Sequence, residues 1–122
     1  MIDSFHWRVR AVIREKAYRF SVRIVKMSQY LQKEQKEYLI SKQVLKSGTS
    51  ICANAMEAKY GQSRADFLSK NSIALKEAVE TEYWLRLLHE TGYLTDRMFD
   101  SIHPECCELI RILTSIVNTT KG

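Results

Sequence analysis

The chain has 122 residues, a length typical of one domain, and its formal net charge is +5. A single proline and four glycines predict long helices joined by few turns. It has no run of eighteen apolar residues, no secretory signal pattern at its start and no CxxC pair among its three cysteines. We therefore expect a cytoplasmic protein without a membrane-spanning helix, whose thiols are reduced.

The first predicted helix spans about residues 7–31. Its apolar residues recur at heptad spacing and form a stripe that should face the core: Ile13, Ala17, Phe20, Ile24, Met27 and Leu31. The polar stretch 32–36 is predicted to be a loop.

The second predicted helix spans about residues 37–59, and Gly61 supplies a C-terminal cap position. Its apolar stripe is Ile40, Val44, Ile51, Ala55 and Ala58. Beside it runs a line of polar residues at spacings of 4, 3, 4 and 3, which we call the polar seam: Gln43, Ser47, Ser50, Asn54 and Glu57. Because buried polar groups without partners are costly, we expect the polar seam to find partners across a helix interface.

Ser63 followed by Asp66 has the pattern of a capping box, which opens a third predicted helix that runs to about Glu90 and ends at Gly92. Its inward residues are Phe67, Ala74, Ala78, Leu85 and Leu88.

Thr95 is the predicted N-cap of a fourth helix, with Phe99, Ile102, Cys106, Leu109, Leu113 and Ile116 on its apolar face. Pro104 lies inside this pattern and favours a kink near Asp100 over a restart of the helix at the proline. Four amphipathic helices with short connections predict a single all-α domain over residues 1–122, an antiparallel up-down four-helix bundle.

Charge is distributed unevenly along the chain. Residues 8–46 contain eleven Lys or Arg and three acids, whereas residues 57–108 contain six Lys or Arg and ten acids. Four cations of the first helix recur at spacings of 3, 4 and 3 and share one face, and a fifth, Arg8, lies close to it. We call these five the cationic stripe: Arg8, Lys16, Arg19, Arg23 and Lys26. Such a stripe could follow the phosphates of a nucleic acid, or it could be a solvated face paired with acids of another helix or subunit.

Glu77 and Glu80 are the acids expected beside the polar seam, pairing with Ser50, Asn54 or cations. Carboxylates inside a four-helix bundle raise the question of a di-iron site, which needs Glu-x-x-His on two helices. The chain has no Glu-x-x-His, so we expect no metal and no other cofactor.

Nucleophilic catalysis has weak support. Cys52, Cys106 and Cys107 could meet His89 or His103, but no glycine-rich phosphate loop and no nucleophile elbow occurs. We therefore expect a protein that is not an enzyme.

Residues 43–67 resemble the bacterial S23 family, also called 23S rRNA intervening-sequence proteins. The family pattern has Gln, a basic pair, Ser-Ile-x-x-Asn-x-x-Glu and a capped turn leading to Phe. The matching residues are Gln43, Ser50, Ile51, Asn54, Glu57, Ser63 and Phe67. Downstream, Ile73-Ala74, residues 77–88 and Gly92-Tyr93-Leu94 extend the resemblance over nearly the whole chain. The chain departs from the pattern at Leu45-Lys46 in place of the basic pair, at Ala58 in place of a frequent glycine, and at Pro104.

The resemblance implies a four-helix bundle that assembles into a ring-like homo-oligomer, a pentamer. A related branch serves diversity-generating retroelements, where its basic surface binds nucleic acid and a reverse transcriptase. By resemblance, the partners would be further copies of the chain, RNA or DNA, and a reverse transcriptase or other protein, while Ser50, Asn54, Glu57, Glu77 and Glu80 would have structural roles. The leading hypothesis is non-specific nucleic acid binding by the cationic stripe; the alternative is a protein-interaction scaffold that binds no nucleic acid.

Overall fold

Four long helices make up the computed structural model, which describes the backbone of residues 4–122 and the side chains of residues 8–122. They are α1 (Ser4–Lys33), α2 (Ile40–Lys59), α3 (Arg64–Glu90) and α4 (Asp96–Lys121). Each helix packs against its neighbours in the chain and α4 closes the bundle against α1. Within residues 4–122 the backbones of the diagonal pairs stay apart, although the Arg10 guanidinium of α1 lies 4.2 Å from the centre of the Phe67 ring of α3. The predicted all-α four-helix bundle is confirmed. None of these four helices is long and apolar enough to cross a membrane.

The core consists mainly of the apolar stripes that the sequence predicted, joined by Cys52 and Leu94, whereas Ile40, Phe67 and Phe99 of those stripes are only partly buried. All six stripe residues of α1 are buried, and Phe20, Ile24 and Leu31 are almost completely inaccessible to solvent. Leu85 of α3 and Leu109 of α4 belong to the same buried cluster. Removing each large side chain from water stabilises the fold by about 1.5–3 kcal/mol before the entropy of ordering is subtracted.

The connection between α1 and α2 differs from the prediction, because α2 begins at Ile40 and not at residue 37. Glu37 is buried before the helix, and its carboxylate accepts hydrogen bonds from the backbone N–H groups of Leu39, Ile40 and Ser41 at 3.2, 3.0 and 2.7 Å. These donors have no partner within the helix itself, so Glu37 completes the first turn from outside. Its negative charge also lies at the favourable end of the α2 dipole.

The turn between α2 and α3 has the predicted cap. The Ser63 hydroxyl accepts a hydrogen bond from the Asp66 N–H at 3.1 Å. The Asp66 carboxylate accepts from the N–H of Gln62 at 3.2 Å, one residue before the position that a capping box uses. The C-cap of α2 is Tyr60, and Gly61 follows it.

Gly92 ends α3 as predicted, in the left-handed conformation with φ of 85°. The N–H of Tyr93 donates to the carbonyl of Leu88 at 2.9 Å and that of Gly92 donates to His89 at 3.1 Å, which is the Schellman pattern. Thr95 then caps α4 by accepting from the Met98 N–H. The α4 helix continues through Pro104, so it does not restart there.

Candidate nucleic-acid interface

The cationic stripe lies along the flank of α1 that faces α4. Two of its members cross to acids of that helix: Lys16 Nζ is 3.3 Å from Glu108 Oε1, and Arg23 pairs with Glu105. A third, Arg19, pairs with Glu15 of its own helix at 2.7 Å, as residues four apart on one helix can. The middle of the stripe is therefore partly neutralised within the molecule.

Arg23 also forms hydrogen bonds to the backbone and a side chain of α4. Its guanidinium donates to the carbonyl of Ser101 at 3.2 Å and to the Ser101 hydroxyl at 2.8 Å. Pro104 has no N–H, so the carbonyl of Asp100 loses its helical partner and the hydrogen bonding of this turn is weakened. Arg23 therefore supplies donors to α4 next to the turn that the proline interrupts.

Lys26 and Arg8 are the exposed ends of the stripe. Within residues 8–122, the charged nitrogen of Lys26 has no carboxylate within 4 Å. The antiparallel arrangement brings the first turn of α4 beside the last turns of α1, and Arg97 of α4 joins Lys26 there. Arg97 is also exposed and, in the same part of the chain, also without an acid partner.

A groove of about 520 Å³ opens between these turns, and we call it the α1–α4 groove. Its cations are Arg23, Lys26 and Arg97, and its apolar wall includes Met27, Tyr30 and Met98. A second recess of about 380 Å³, beside Lys16 and Arg19, shares Arg23 with it. Sequence reasoning missed Arg97, because it considered the cations of one helix only. The signal was the antiparallel register, which places the start of α4 opposite the end of α1.

The polar seam lies between α2 and α3 and is only partly buried. Ser47 is fully buried, and its hydroxyl accepts a hydrogen bond from Thr81 Oγ1 of α3 at 2.8 Å. Glu57 is exposed and pairs with Lys70 of α3 at 2.8 Å. These two contacts are the cross-helix partners that the sequence led us to expect.

The other members of the polar seam bond differently. The Ser50 hydroxyl donates to the carbonyl of Lys46 at 2.7 Å, and the Asn54 amide donates to the carbonyl of Ser50 at 2.8 Å. Both partners belong to α2 itself, and Gln43 is exposed. The expectation that Ser50 and Asn54 pair across the helix interface is therefore wrong within one chain, because carbonyls four residues back in the helix accept their hydrogen bonds.

Glu77 and Glu80 lie on α3 beside this surface. Partial burial raises the pKa of Glu77, and the neighbouring charge of Glu80 raises it further, while Lys46 and Lys76 oppose the shift. Glu80 accepts a hydrogen bond from Trp84 Nε1 at 3.3 Å. Neither acid bonds to Ser50 or Asn54, so the predicted pairing with those two residues is wrong within one chain.

A third cluster joins α3 to α4. The His103 ring stacks on Phe99, which stacks on His89, with centroid distances of 4.5 and 4.2 Å. Nε2 of His103 lies 2.9 Å from Glu82 Oε2 and 3.6 Å from Cys107 Sγ.

Cys107 Sγ also lies 3.9 Å from His103 Nδ1, so the sulfur contacts both ring nitrogens and faces neither alone, unlike the nucleophile of a catalytic triad. The neighbouring Cys106 is buried, and burial, with Cys107 and Glu82, raises the pKa of its thiol to about 12. Among the described side chains, no three His, Cys, Asp or Glu residues are close enough to hold a metal ion.

Comparison with known proteins places the chain in a family. Residues 10–115 match the family model described as 23S rRNA-intervening sequence protein. A solved structure from Bacteroides thetaiotaomicron, described as a protein with unknown function from the S23 ribosomal protein family, is 50% identical, with a TM-score of 0.88. The match covers 90% of this chain and 98% of that one. A search of curated proteins found no match. The chain therefore belongs to the 23S rRNA-intervening sequence protein family.

Proposed function

We propose that the protein is a non-enzymatic homo-oligomer that binds RNA or DNA without sequence readout, through the cationic stripe of α1. The observation that carries this proposal is the excess of positive charge along the α1–α4 flank. The stripe and Arg97 supply six cations, and within residues 8–122 the acids paired with them are Glu15, Glu105 and Glu108. A net positive strip of this kind attracts phosphate backbones whatever their base sequence.

The ion pairs in the middle of the stripe do not prevent such binding. The Lys16 and Glu108 side chains are each 42% exposed, and the Arg19 side chain is 75% exposed. Ion pairs this exposed contribute only about 0–1 kcal/mol, so a phosphate can compete for the cation.

A matched pair of triple variants tests the proposal. The first is Lys16→Gln, Arg19→Gln and Lys26→Gln, which spares Arg23 and its contacts with α4. The second, Lys42→Gln, Lys59→Gln and Lys76→Gln, removes the same charge from exposed lysines of α2 and α3.

Affinity is measured with labelled RNA and DNA at several salt concentrations. The stripe variant should bind far more weakly than the wild type, and its log–log salt dependence should flatten by roughly 0.7–0.9 for each phosphate that is no longer neutralised. The control should stay close to the wild type. Equal losses of affinity in both variants would show that net charge alone matters, and the stripe would have no special role.

Self-association is supported by apolar side chains left on two opposite sides of the bundle. Tyr18, Val22 and Val25 are exposed on α1, while Val79 and Tyr83 are exposed on α3, which is diagonal to α1. Contacts between two different faces of a subunit build rings when the rotation closes. A ring, of five copies by the family resemblance, would repeat the cationic stripe and add avidity to modest contacts.

Light scattering coupled to size-exclusion chromatography tests the assembly. The wild type should elute as a multiple of the 14.3 kDa chain, and Val22→Lys should shift it toward the monomer. Asn118→Lys, which adds the same charge at an exposed position of α4, is the control. A wild type that stays monomeric at micromolar concentration would contradict the proposed assembly.

The second candidate function is a protein-interaction scaffold without nucleic acid. It is favoured by the acid partners that Lys16, Arg19 and Arg23 already have. The partner could be another protein, a reverse transcriptase among the candidates that the resemblance suggests. Absence of binding to RNA and DNA at low salt, with the oligomer intact, would favour this function over the first.

A further inference from the structure

We propose that the α1–α4 groove takes an unpaired nucleotide, so that the protein prefers single-stranded to double-stranded nucleic acid. Lys26 and Arg97 would hold the phosphate, and Tyr30 with Met27 and Met98 would contact the base. This inference rests on the proposed function and specifies the class of nucleic acid.

The first argument is the charge of the groove. Arg23 is committed to Glu105 and Ser101, but Lys26 and Arg97 have no carboxylate within 4 Å among residues 8–122. The acid next to Arg97 in the chain does not compensate it, since Asp96 binds His89 at 2.7 Å on the α3 side of α4. Lys26 and Arg97 line the same groove from two helices, and two such cations can bind one phosphate.

The second argument is the apolar wall beside those cations. Tyr30 is one helical turn after Lys26, so the two side chains share a face of α1, and Met98 approaches from α4 next to Arg97. The Tyr30 hydroxyl accepts a hydrogen bond from Gln35 Nε2 at 2.8 Å, which holds the ring in place. An aromatic ring fixed next to a cation is the arrangement on which proteins stack unpaired bases.

The third argument is the mismatch with a duplex. In a double helix the base faces are hidden in the stack, and only base edges and phosphates are accessible in the grooves. A duplex on this surface would cover the apolar wall without placing a base against it. A single strand can place a phosphate at the cations and a base against the apolar wall. The volume of the groove, about 520 Å³, is in the range of small-ligand sites.

The experiment compares labelled oligo(dT), oligo(U) and a DNA duplex of equal length by fluorescence anisotropy at low salt. Base stacking on an aromatic side chain changes affinity by roughly 5- to 150-fold, so the single strands should bind at least about 5-fold more tightly than the duplex. The two single-stranded arms distinguish DNA from RNA as the source of the unpaired nucleotide.

Two variants locate the site. Tyr30→Leu should bring single-strand affinity down to the duplex level and leave duplex binding unchanged. Tyr60→Leu, which changes an exposed tyrosine beyond the end of α2, should alter neither affinity. A thermal melt followed by circular dichroism checks that Tyr30→Leu is folded. If Tyr30→Leu does not fold, the double variant Lys26→Gln, Arg97→Gln tests the site through its phosphate contacts.

The outcomes separate the two proposals. Equal affinity for strand and duplex, or a single-strand preference that survives both the Tyr30 substitution and the double cation substitution, overturns the inference and leaves the proposed function standing. Absence of binding to every probe overturns both.

Discussion

Gly48 provides the sharpest test of how closely α1 and α2 pack. It lies on the buried face of α2, opposite Ile24 of α1, which is completely inaccessible to solvent. A Cβ atom added at Gly48 would lie 2.8 Å from Ile24 Cγ2 and 2.9 Å from Cγ1. Carbon atoms pack at about 3.5–4.0 Å, so Gly48→Ala does not fit unless Ile24 or a helix moves.

Two opposing effects set the magnitude. Alanine is favoured over glycine in a helix interior by about 1 kcal/mol, whereas overpacking a core costs about 1–3 kcal/mol. Gly48→Ala should therefore lower the free energy of unfolding by up to about 2 kcal/mol. Ile24→Ala removes both Cγ atoms, at its own cost of about 2–5 kcal/mol, and in that background Gly48→Ala should stabilise by about 1 kcal/mol.

Urea denaturation of the wild type, the two single variants and the double variant measures this reversal of sign. The expected coupling free energy between the two substitutions is about 1–3 kcal/mol. Ile24→Val is the control background, because valine keeps both Cγ atoms and Gly48→Ala should remain destabilising there. If Gly48→Ala has the same effect with isoleucine and with alanine at position 24, the contact does not limit the approach of the helices.

Three further predictions concern single groups. Glu37→Ala should lower the free energy of unfolding, measured by urea denaturation, by about 1–2 kcal/mol, because three backbone donors lose their acceptor. A change no larger than that caused by replacing an exposed acid with alanine would contradict the capping role. Since the pKa of Glu77 is raised, the native state binds more protons than the unfolded chain, and stability rises as the pH falls through that pKa. Glu77→Gln should thus stabilise the protein at neutral pH, by a margin that disappears at acidic pH; a margin independent of pH would refute this. Burial raises the thiol pKa values of Cys52 and Cys106, the latter to about 12. Iodoacetamide should therefore label Cys107 first, and labelling of Cys106 in the native protein would contradict this prediction.

The sequence predicted the helices well because their signals are local. Heptad spacing identified the core positions of α1, and Thr95 and Gly92 marked helix ends through chemistry that acts within a few residues. The start of α2 was placed wrongly because Glu37 has high helix propensity. Its carboxylate caps the helix from outside, and no local pattern distinguishes the two roles.

The candidate site was predicted only in part, because its details depend on which helices are neighbours. Periodicity placed Lys16 and Arg23 on one face of α1, but it could not show that Glu108 and Glu105 of α4 would pair with them. Arg97 was missed for the same reason. Periodicity also could not show which acceptor the Ser50 hydroxyl would use. It donates to a carbonyl of its own helix and not to a partner across the helix interface.

The ion pairs within the stripe determine how steeply the affinity for nucleic acid should depend on salt concentration. If all five cations of the stripe neutralised phosphates, the log–log salt slope for an oligonucleotide that spans one subunit would be roughly −3.5 to −4.5. If the ion pairs persist and only Lys26 and Arg97 engage, the slope would be roughly −1.4 to −1.8. A single strand short enough to occupy only the α1–α4 groove should give the shallower slope, because Lys16 and Arg19 lie outside that groove and Arg23 has its hydrogen bonds to Ser101 to lose. A slope near −4 would mean that phosphates displace Glu105 and Glu108, in which case the α1–α4 packing must loosen on binding.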